Sequence, residues 1–119
     1  MSAFLSDLDV RLMEDTQDGA WKILAPFTYQ SDLLGKTITV RPGFTTDFCS
    51  VPHIPGLYEV LGDQFRRAGT VHDWLYSTHE VNRETADRVL REMLLVEGAG
   101  EVVAEDFYLA VRVGGGSHW

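Results

Sequence analysis

The chain has 119 residues, with a formal net charge of −8 at pH 7 and a pI near 4.8. Its 45% hydrophobic and 24% charged residues are typical of a globular protein with one hydrophobic core. The acidic balance argues against a nucleic-acid partner, because no basic excess is present to neutralise phosphates. The single cysteine, Cys49, excludes an intramolecular disulfide.

Targeting and membrane signals are not visible. No apolar run approaches the ~20 residues that a membrane-spanning helix needs. Residues 1–7 lack the basic start and the apolar core of a secretory signal. We therefore expect a soluble protein that is made in the cytoplasm.

The first third of the chain has the alternating pattern of β-strands. Val10 and Leu12 suggest a short strand. Apolar residues at every second position from 21 to 29 predict a half-buried strand, in which Pro26 implies an edge or a bulge. After a loop, residues 36–40 predict a further strand. These segments together predict a small antiparallel sheet.

The segment 44–62 is irregular and contains prolines and glycines. It predicts a long structured loop, or a strand leading into a short helix near Tyr58–Leu61. Side-chain oxygens of Thr46, Asp47 and Ser50 can support a site here, or they can satisfy backbone groups within turns.

Helical spacing begins near Phe65 and places His72 and Tyr76 on one inward face. Asn82 is a suitable N-cap for a second helix, which carries Asp87 beside its apolar stripe. The short connection between these two helices predicts an antiparallel pair. A third helix is expected from about Glu101, followed by a frayed tail.

These patterns predict a single α+β domain, with a small N-terminal antiparallel sheet followed by about three helices. Its expected parts are a β-rich part (1–43), a structured loop (44–62), a helical part (63–113) and a tail (114–119).

The acid on the second helix carries the main chemical expectation. A carboxylate beside an apolar stripe is costly to bury without partners, and an antiparallel pair would bring Asp87 to His72 and Tyr76. The carboxylate would orient the imidazole and stabilise the imidazolium, so that His72 could take a proton from water. The alternative is a structural network joining two helices, which an Arg83–Asp87 pair at i,i+4 would favour.

A cation site is a second possibility. Asp73 lies about 100° round the helix from His72, where its carboxylate offers hard oxygen ligands. Backbone carbonyls or Asp47 would complete the coordination of calcium or another divalent cation. Such an ion would stabilise an oxyanion as water attacked an ester or amide.

Several motifs along the chain occur in a recognisable order: residues 43–52 (Gly-Phe-Thr-Thr-Asp-Phe-Cys-Ser-Val-Pro), His72-Asp73-Trp74-Leu75-Tyr76, Arg83, Ala86-Asp87, and Tyr108 with Ala110-Val111-Arg112. In this order and spacing they resemble a family of small phage and prophage proteins of unknown function. The resemblance implies a viral or prophage origin. Within these motifs, we assign Thr46, Ser50, Arg83 and Tyr108 as supporting residues.

A shorter resemblance covers the helix pair. Two sets of residues are similar to the catalytic helices of the calcium-dependent secreted phospholipases: residues 65–68 with His72-Asp73 and Tyr76, and then Asn82-Arg83, Ala86-Asp87, Leu90 and Met93. The resemblance implies that His72 activates water, that Asp73 binds calcium, and that Asp87 and Tyr76 orient His72. The paired cysteines and the glycine-rich calcium loop of that family are absent from this sequence.

Two functions follow as expectations. The first is a phage or prophage hydrolase with a metal-assisted, phospholipase-like site, acting on membrane lipid or on a cell-envelope bond. The second is a noncatalytic virion component of the tail or neck, which binds other phage structural proteins and uses the same network to hold its fold. Both would be made in the host cytoplasm, and the second would be carried in the virion.

Overall fold

The computed structural model describes residues 1–13, 20–46 and 57–119, with residues 57–65 described by their backbone alone. The predictions for Asp47, Cys49 and Ser50 lie outside these residues. By its internal contacts the chain forms two compact units, Met1–Asp47 and Phe48–Trp119. Strands occupy the first unit and helices the second, which confirms the predicted α+β class.

Two three-stranded antiparallel sheets form the described part of the first unit. One sheet has the order β1-β4-β5, with bounds Ala3–Phe4, Phe27–Ser31 and Lys36–Val40. The other has the order β2-β3-β6, with bounds Val10–Leu12, Trp21–Ile23 and Thr45–Thr46. In the first sheet, Phe27 pairs with Val40 and Tyr29 with Ile38, and all four side chains are buried.

The strand expected over residues 21–29 is wrong as a single element. It is divided into β3 and β4, which belong to different sheets. Pro26 lies at this break, and because it has no N–H it cannot continue a ladder. The short β1 was not predicted, since two residues carry no readable alternation. Strand β5, in contrast, has the predicted bounds.

The helical unit begins earlier than predicted. Helix α1 spans Leu57–Thr78, so it begins six residues before the expected boundary at residue 63 and includes the short helix offered as an alternative near Tyr58–Leu61. Helix α2 spans Arg83–Val96, and the side chain of Asn82 caps it by accepting from the backbone N–H of Thr85 at 2.8 Å. Helix α3 spans Glu101–Gly114.

The helices run antiparallel in sequence order. From α1 to α2, Arg67 pairs with Glu97 while Tyr76 contacts Asp87, so contacts later on one helix fall earlier on the other. From α2 to α3, Arg91 pairs with Glu105 at 2.8 Å while Asp87 pairs with Arg112, which shows the same antiparallel direction. Their buried core consists of apolar side chains that include Val71, Leu75, Val89, Leu90, Met93, Leu94, Phe107 and Val111.

The expected frayed tail is wrong. Residues Gly115–His118 form a 3-10 helix directly after α3, and Gly115 is buried. Trp119 follows with its ring against Tyr76. Among the described residues, no helix is long and apolar enough to cross a membrane.

Candidate functional site

Helix α1 presents His72 and Tyr76 on one buried face. The residues are one helical turn apart, which places their side chains next to each other. Their ring centroids are 4.3 Å apart, with planes tilted by 41°. His72 is 0% exposed and Tyr76 is 3% exposed, so both polar groups need partners within the protein.

Asp87 on α2 is the hydrogen-bond partner of both side chains. Its Oδ1 atom lies 2.8 Å from Nε2 of His72 and accepts the hydroxyl hydrogen of Tyr76 at 2.6 Å. Asp87 is itself fully buried. The convergence of three side chains that the helix spacing predicts is therefore present, and we call these three residues the carboxylate network.

Two arginines connect this network to α3. The guanidinium of Arg112 donates to the second oxygen of Asp87, with 3.0 Å between Nη1 and Oδ2. Arg83 donates from Nε to the Tyr76 hydroxyl at 3.3 Å, and from Nη2 to the carbonyls of Val111 and Arg112, each at 2.8 Å. The predicted Arg83–Asp87 pair is wrong, because Arg83 reaches past its own helix to the end of α3.

The electrostatics favour a neutral imidazole beside an ionised carboxylate. Burial lowers the pKa of His72, because a charged ring would lose its hydration, although Asp87 acts in the opposite direction. Burial alone would raise the pKa of Asp87, but hydrogen bonds from His72, Tyr76 and Arg112 outweigh it and lower that pKa. Burial and the bond to Asp87 raise the pKa of Tyr76, so its hydroxyl stays a donor.

These states define the hydrogen positions. An ionised Asp87 can only accept, so a neutral His72 must carry its proton on Nε2 and its lone pair on Nδ1. This assignment follows from the bonding pattern. The ion pair is then Asp87 with Arg112, and the imidazole is a neutral donor to the carboxylate.

The remaining predicted site residues lie in several places. Asp73 follows His72 on α1 and is 7% exposed. Tyr108 lies on α3 outside the network, and its hydroxyl, with Glu84, raises the pKa of Arg88. Thr46 is a buried residue of β6 in the strand unit, paired in register with Trp21. Asp47 and Ser50 are outside the described residues.

The described residues do not by themselves form a metal site. No group of three or more histidine, cysteine, aspartate or glutamate side chains within them could hold a metal ion. Of the two metal ligands that the sequence suggested, Asp73 and Asp47, the structure describes Asp73. The titratable side chains that the structure joins by hydrogen bonds are His72, Tyr76 and Asp87.

Arg112 is the partner of Asp87 that the sequence patterns did not assign to the site, although it stands within one of the quoted motifs. It lies in the last turn of α3, and its partner is 25 residues away on another helix. Gly115 and Trp119 were also missed, because a run of three glycines suggested fraying. A buried acid that needs a cation was the available signal for Arg112.

Comparison with known proteins identifies one family. The model described as "Protein of unknown function (DUF1353)" matches residues 21–111. That range contains the whole carboxylate network and Arg83, and it ends one residue before Arg112. No curated protein and no solved structure matches the chain significantly.

Proposed function

The chain belongs to the DUF1353 family of proteins of unknown function, and we propose that it is a hydrolase of ester or amide bonds. In this proposal His72 is the general base, and Asp87 and Tyr76 orient it. The observation that carries the proposal is the 2.8 Å bond between His72 Nε2 and Asp87 Oδ1, with Tyr76 on the same oxygen. A carboxylate that fixes both the tautomer and the orientation of a neutral histidine is a recurrent arrangement for proton abstraction.

The proposed reaction begins with water as the nucleophile. The water oxygen bonds to the substrate carbonyl carbon while its proton passes to Nδ1 of His72. Asp87 stabilises the resulting imidazolium through the Nε2–H bond. The imidazolium then protonates the leaving oxygen or nitrogen as its bond to carbon breaks, which returns the ring to its neutral form.

The substrate class and origin come from the sequence resemblances. We propose a phospholipid or a cell-envelope bond as the substrate, and a phage or prophage as the source of the chain. Calcium or another divalent cation would bind through Asp73, with Asp47 as a further candidate ligand. The described residues alone do not complete such a site.

A noncatalytic virion component is the second candidate, and complete burial of the network favours it. His72 and Asp87 have no exposed surface, so a substrate could reach Nδ1 only after a conformational change. Asp87 is also saturated by donors from two neighbouring helices, α1 and α3, which is what a structural clamp requires. In this proposal the protein binds other phage structural proteins in the tail or neck.

Hydrolysis by a matched pair of histidine variants separates the two candidates. His72→Gln retains a side-chain N–H for Asp87 but removes the proton acceptor, whereas His118→Gln changes an exposed histidine. The substrates are chromogenic short-chain esters and mixed phospholipid vesicles, each with and without calcium. Hydrolysis lost in His72→Gln and retained in His118→Gln supports the enzyme. Equal hydrolysis in both variants, or none in the unmodified protein, excludes this catalytic role and favours the virion component.

A further inference from the structure

An aromatic contact joins the end of α1 to the residue after the 3-10 helix. The imidazole of His79 and the indole of Trp119 are parallel, with 3.9 Å between their centroids and 5° between their planes. The same indole meets the ring of Tyr76 edge to face, at 5.1 Å and 90°. Trp119 thus lies between an exposed histidine and the buried phenol that donates to Asp87.

The backbone of His79 is in a conformation that usually belongs to glycine. Its φ of 55° lies in the left-handed region, directly after the last residue of α1. Its N–H still bonds to the carbonyl of Leu75 at 3.0 Å, which completes the helix end. Glycine or asparagine is usual at such a position, because other side chains are strained there. His79 therefore combines a backbone conformation that is costly for its residue type with a ring stacked on Trp119.

Tyr76 is enclosed on several sides. His72 lies against one part of its ring, and Trp119 meets another. Gly115 is so close that a methyl group there would lie 2.6 Å from the Tyr76 hydroxyl oxygen. The hydroxyl therefore has little room to leave Asp87 while the segment 115–119 stays in place.

Tyr76 in turn controls the oxygen to which His72 is bonded. Both side chains use Oδ1 of Asp87, whereas Arg112 uses Oδ2. The short bond from Tyr76 holds Oδ1 in the direction of the imidazole. Without it, the carboxylate could rotate toward the guanidinium, because a charged donor attracts it more strongly than a neutral one.

We infer that His79 and Trp119 are positioning residues for His72. Their stack holds Tyr76 on Oδ1 of Asp87, and the oxygen so held keeps the His72 ring in one tautomer and one orientation. The consequence for catalysis rests on the proposed hydrolase function. The consequence for the His72 hydrogen bond does not depend on any activity.

Nuclear magnetic resonance of the labelled His72 imidazole tests this inference directly. The readout is the solvent-exchange rate of the Nε2 proton, which reports local opening of its hydrogen bond. Trp119→Ala and His79→Asn remove one ring each, and asparagine tolerates the left-handed backbone. Trp119→Phe keeps an aromatic edge for Tyr76. Val89→Ala is the control, because it weakens the core of α2 without removing a network bond.

We expect exchange to rise by about tenfold or more in Trp119→Ala and in His79→Asn, relative to Val89→Ala. In Trp119→Phe we expect it to stay within about threefold of the unmodified protein. Equal acceleration in Val89→Ala and Trp119→Ala would show that only global stability matters, and unchanged exchange in His79→Asn would remove the role of the stack. Either result overturns the inference.

Activity measurements keep this inference separate from the proposed function. If the exchange pattern holds but the unmodified protein hydrolyses nothing, the positioning role stands and the hydrolase proposal fails. The opposite outcome is hydrolysis that depends on His72 while Trp119→Ala changes neither the kcat of hydrolysis nor the exchange rate of the His72 Nε2 proton. In that case the hydrolase proposal stands and the positioning role fails. When both hold, Trp119→Ala lowers kcat with little change in KM, because the base is misplaced while the substrate contacts remain.

Discussion

The guanidinium of Arg112 on α3 is paired with the buried carboxylate of Asp87 on α2, with 3.0 Å between Nη1 and Oδ2. Arg112 supplies the positive charge that Asp87 needs, and it leaves Oδ1 to the neutral donors His72 and Tyr76. Three helices therefore meet at one carboxylate. Removal of the Asp87 carboxylate should therefore destabilise the fold, because α1 and α3 would each retain a buried donor without an acceptor.

Replacement of Asp87 tests this convergence. We expect Asp87→Ala to lower the free energy of unfolding by roughly 3 kcal/mol, because buried donors on α1 and α3 lose their acceptor. Asp87→Asn should cost less, since its amide oxygen still accepts. Urea unfolding followed by far-ultraviolet circular dichroism measures both, with Asp106→Ala as an exposed acid for comparison. An Asp87→Ala curve that coincides with that of the unmodified protein would show that the network does not stabilise the helices.

Arg112→Gln should lower the free energy of unfolding by about 1–2 kcal/mol, because it removes a hydrogen bond and an ion pair from a fully buried carboxylate. Arg88→Gln is the matched control. Its pair with Glu84 joins two side chains that are more than half exposed, and such pairs contribute about 0.5 kcal/mol or less. The same Arg112 variant should raise the pKa of His72, since the charge of Asp87 is no longer shared with a cation. Equal losses in the two variants would contradict the assignment of Arg112 as the cation that stabilises Asp87.

The helical pattern predicted much of this site because its rules are local. The N-cap at Asn82 and the shared face of His72 and Tyr76 follow from spacings of three and four residues. Asp87 could be placed beside them because a buried acid requires partners and a short connection implies antiparallel helices. The α+β class followed in the same way from a change of period between the two halves of the chain.

The features that the sequence did not predict depend on contacts between residues that are distant in sequence. Arg112 could be assigned to Asp87 only once the register of α3 on α2 was known. The segment after α3 was expected to fray because of its glycines, yet Gly115 is buried and the Tyr76 hydroxyl occupies the place that a side chain there would take. The division of the predicted strand at Pro26 depends on which sheet each half joins, which a period of two does not encode.

Stability should fall in acid, first through His72. Its folded pKa is below the ordinary value of 6.5, so the unfolded state binds more protons in the interval between the two values. The contribution of neutral His72 to the free energy of unfolding is fully present above pH 6.5. It is lost as the pH falls through the pKa of His72 in the folded state. Asp87, with a pKa lowered from 3.8, adds a second loss below that pH. Urea midpoints measured from pH 6.5 downward should therefore fall less in His72→Gln than in the unmodified protein. An equal fall in the two proteins would contradict the assignment.

Calcium binding is testable without any substrate. If Asp73 ligates a cation, calcium in the millimolar range should raise Tm, because a ligand bound only to the folded state stabilises it. Asp73→Asn should abolish the rise, whereas Asp106→Asn should leave it unchanged. Magnesium is the comparison ion, since its stricter octahedral geometry suits fewer sites. A Tm that calcium does not raise would remove the cation from the proposed function.

Gly115 provides the sharpest steric test of the covering segment. In Gly115→Ala the new methyl group would lie 2.6 Å from the Tyr76 hydroxyl oxygen, although the backbone at φ −79° and ψ −14° accepts alanine without strain. In Gly116→Ala the nearest atom, in the Arg83 guanidinium, is 3.6 Å away, which is an ordinary contact. We expect Gly115→Ala to cost about 1–3 kcal/mol through overpacking, and Gly116→Ala to be neutral or slightly stabilising.

A double-mutant cycle with Tyr76→Phe identifies the cause of that cost. Tyr76→Phe removes the atom nearest to the added methyl group. The double variant should therefore lose less stability than the sum of the losses in the two single variants. The coupling should be about 1 kcal/mol or more, measured by urea unfolding. If the two losses simply add, Gly115 is not constrained by Tyr76, and the enclosure of the phenol by the segment 115–119 does not hold.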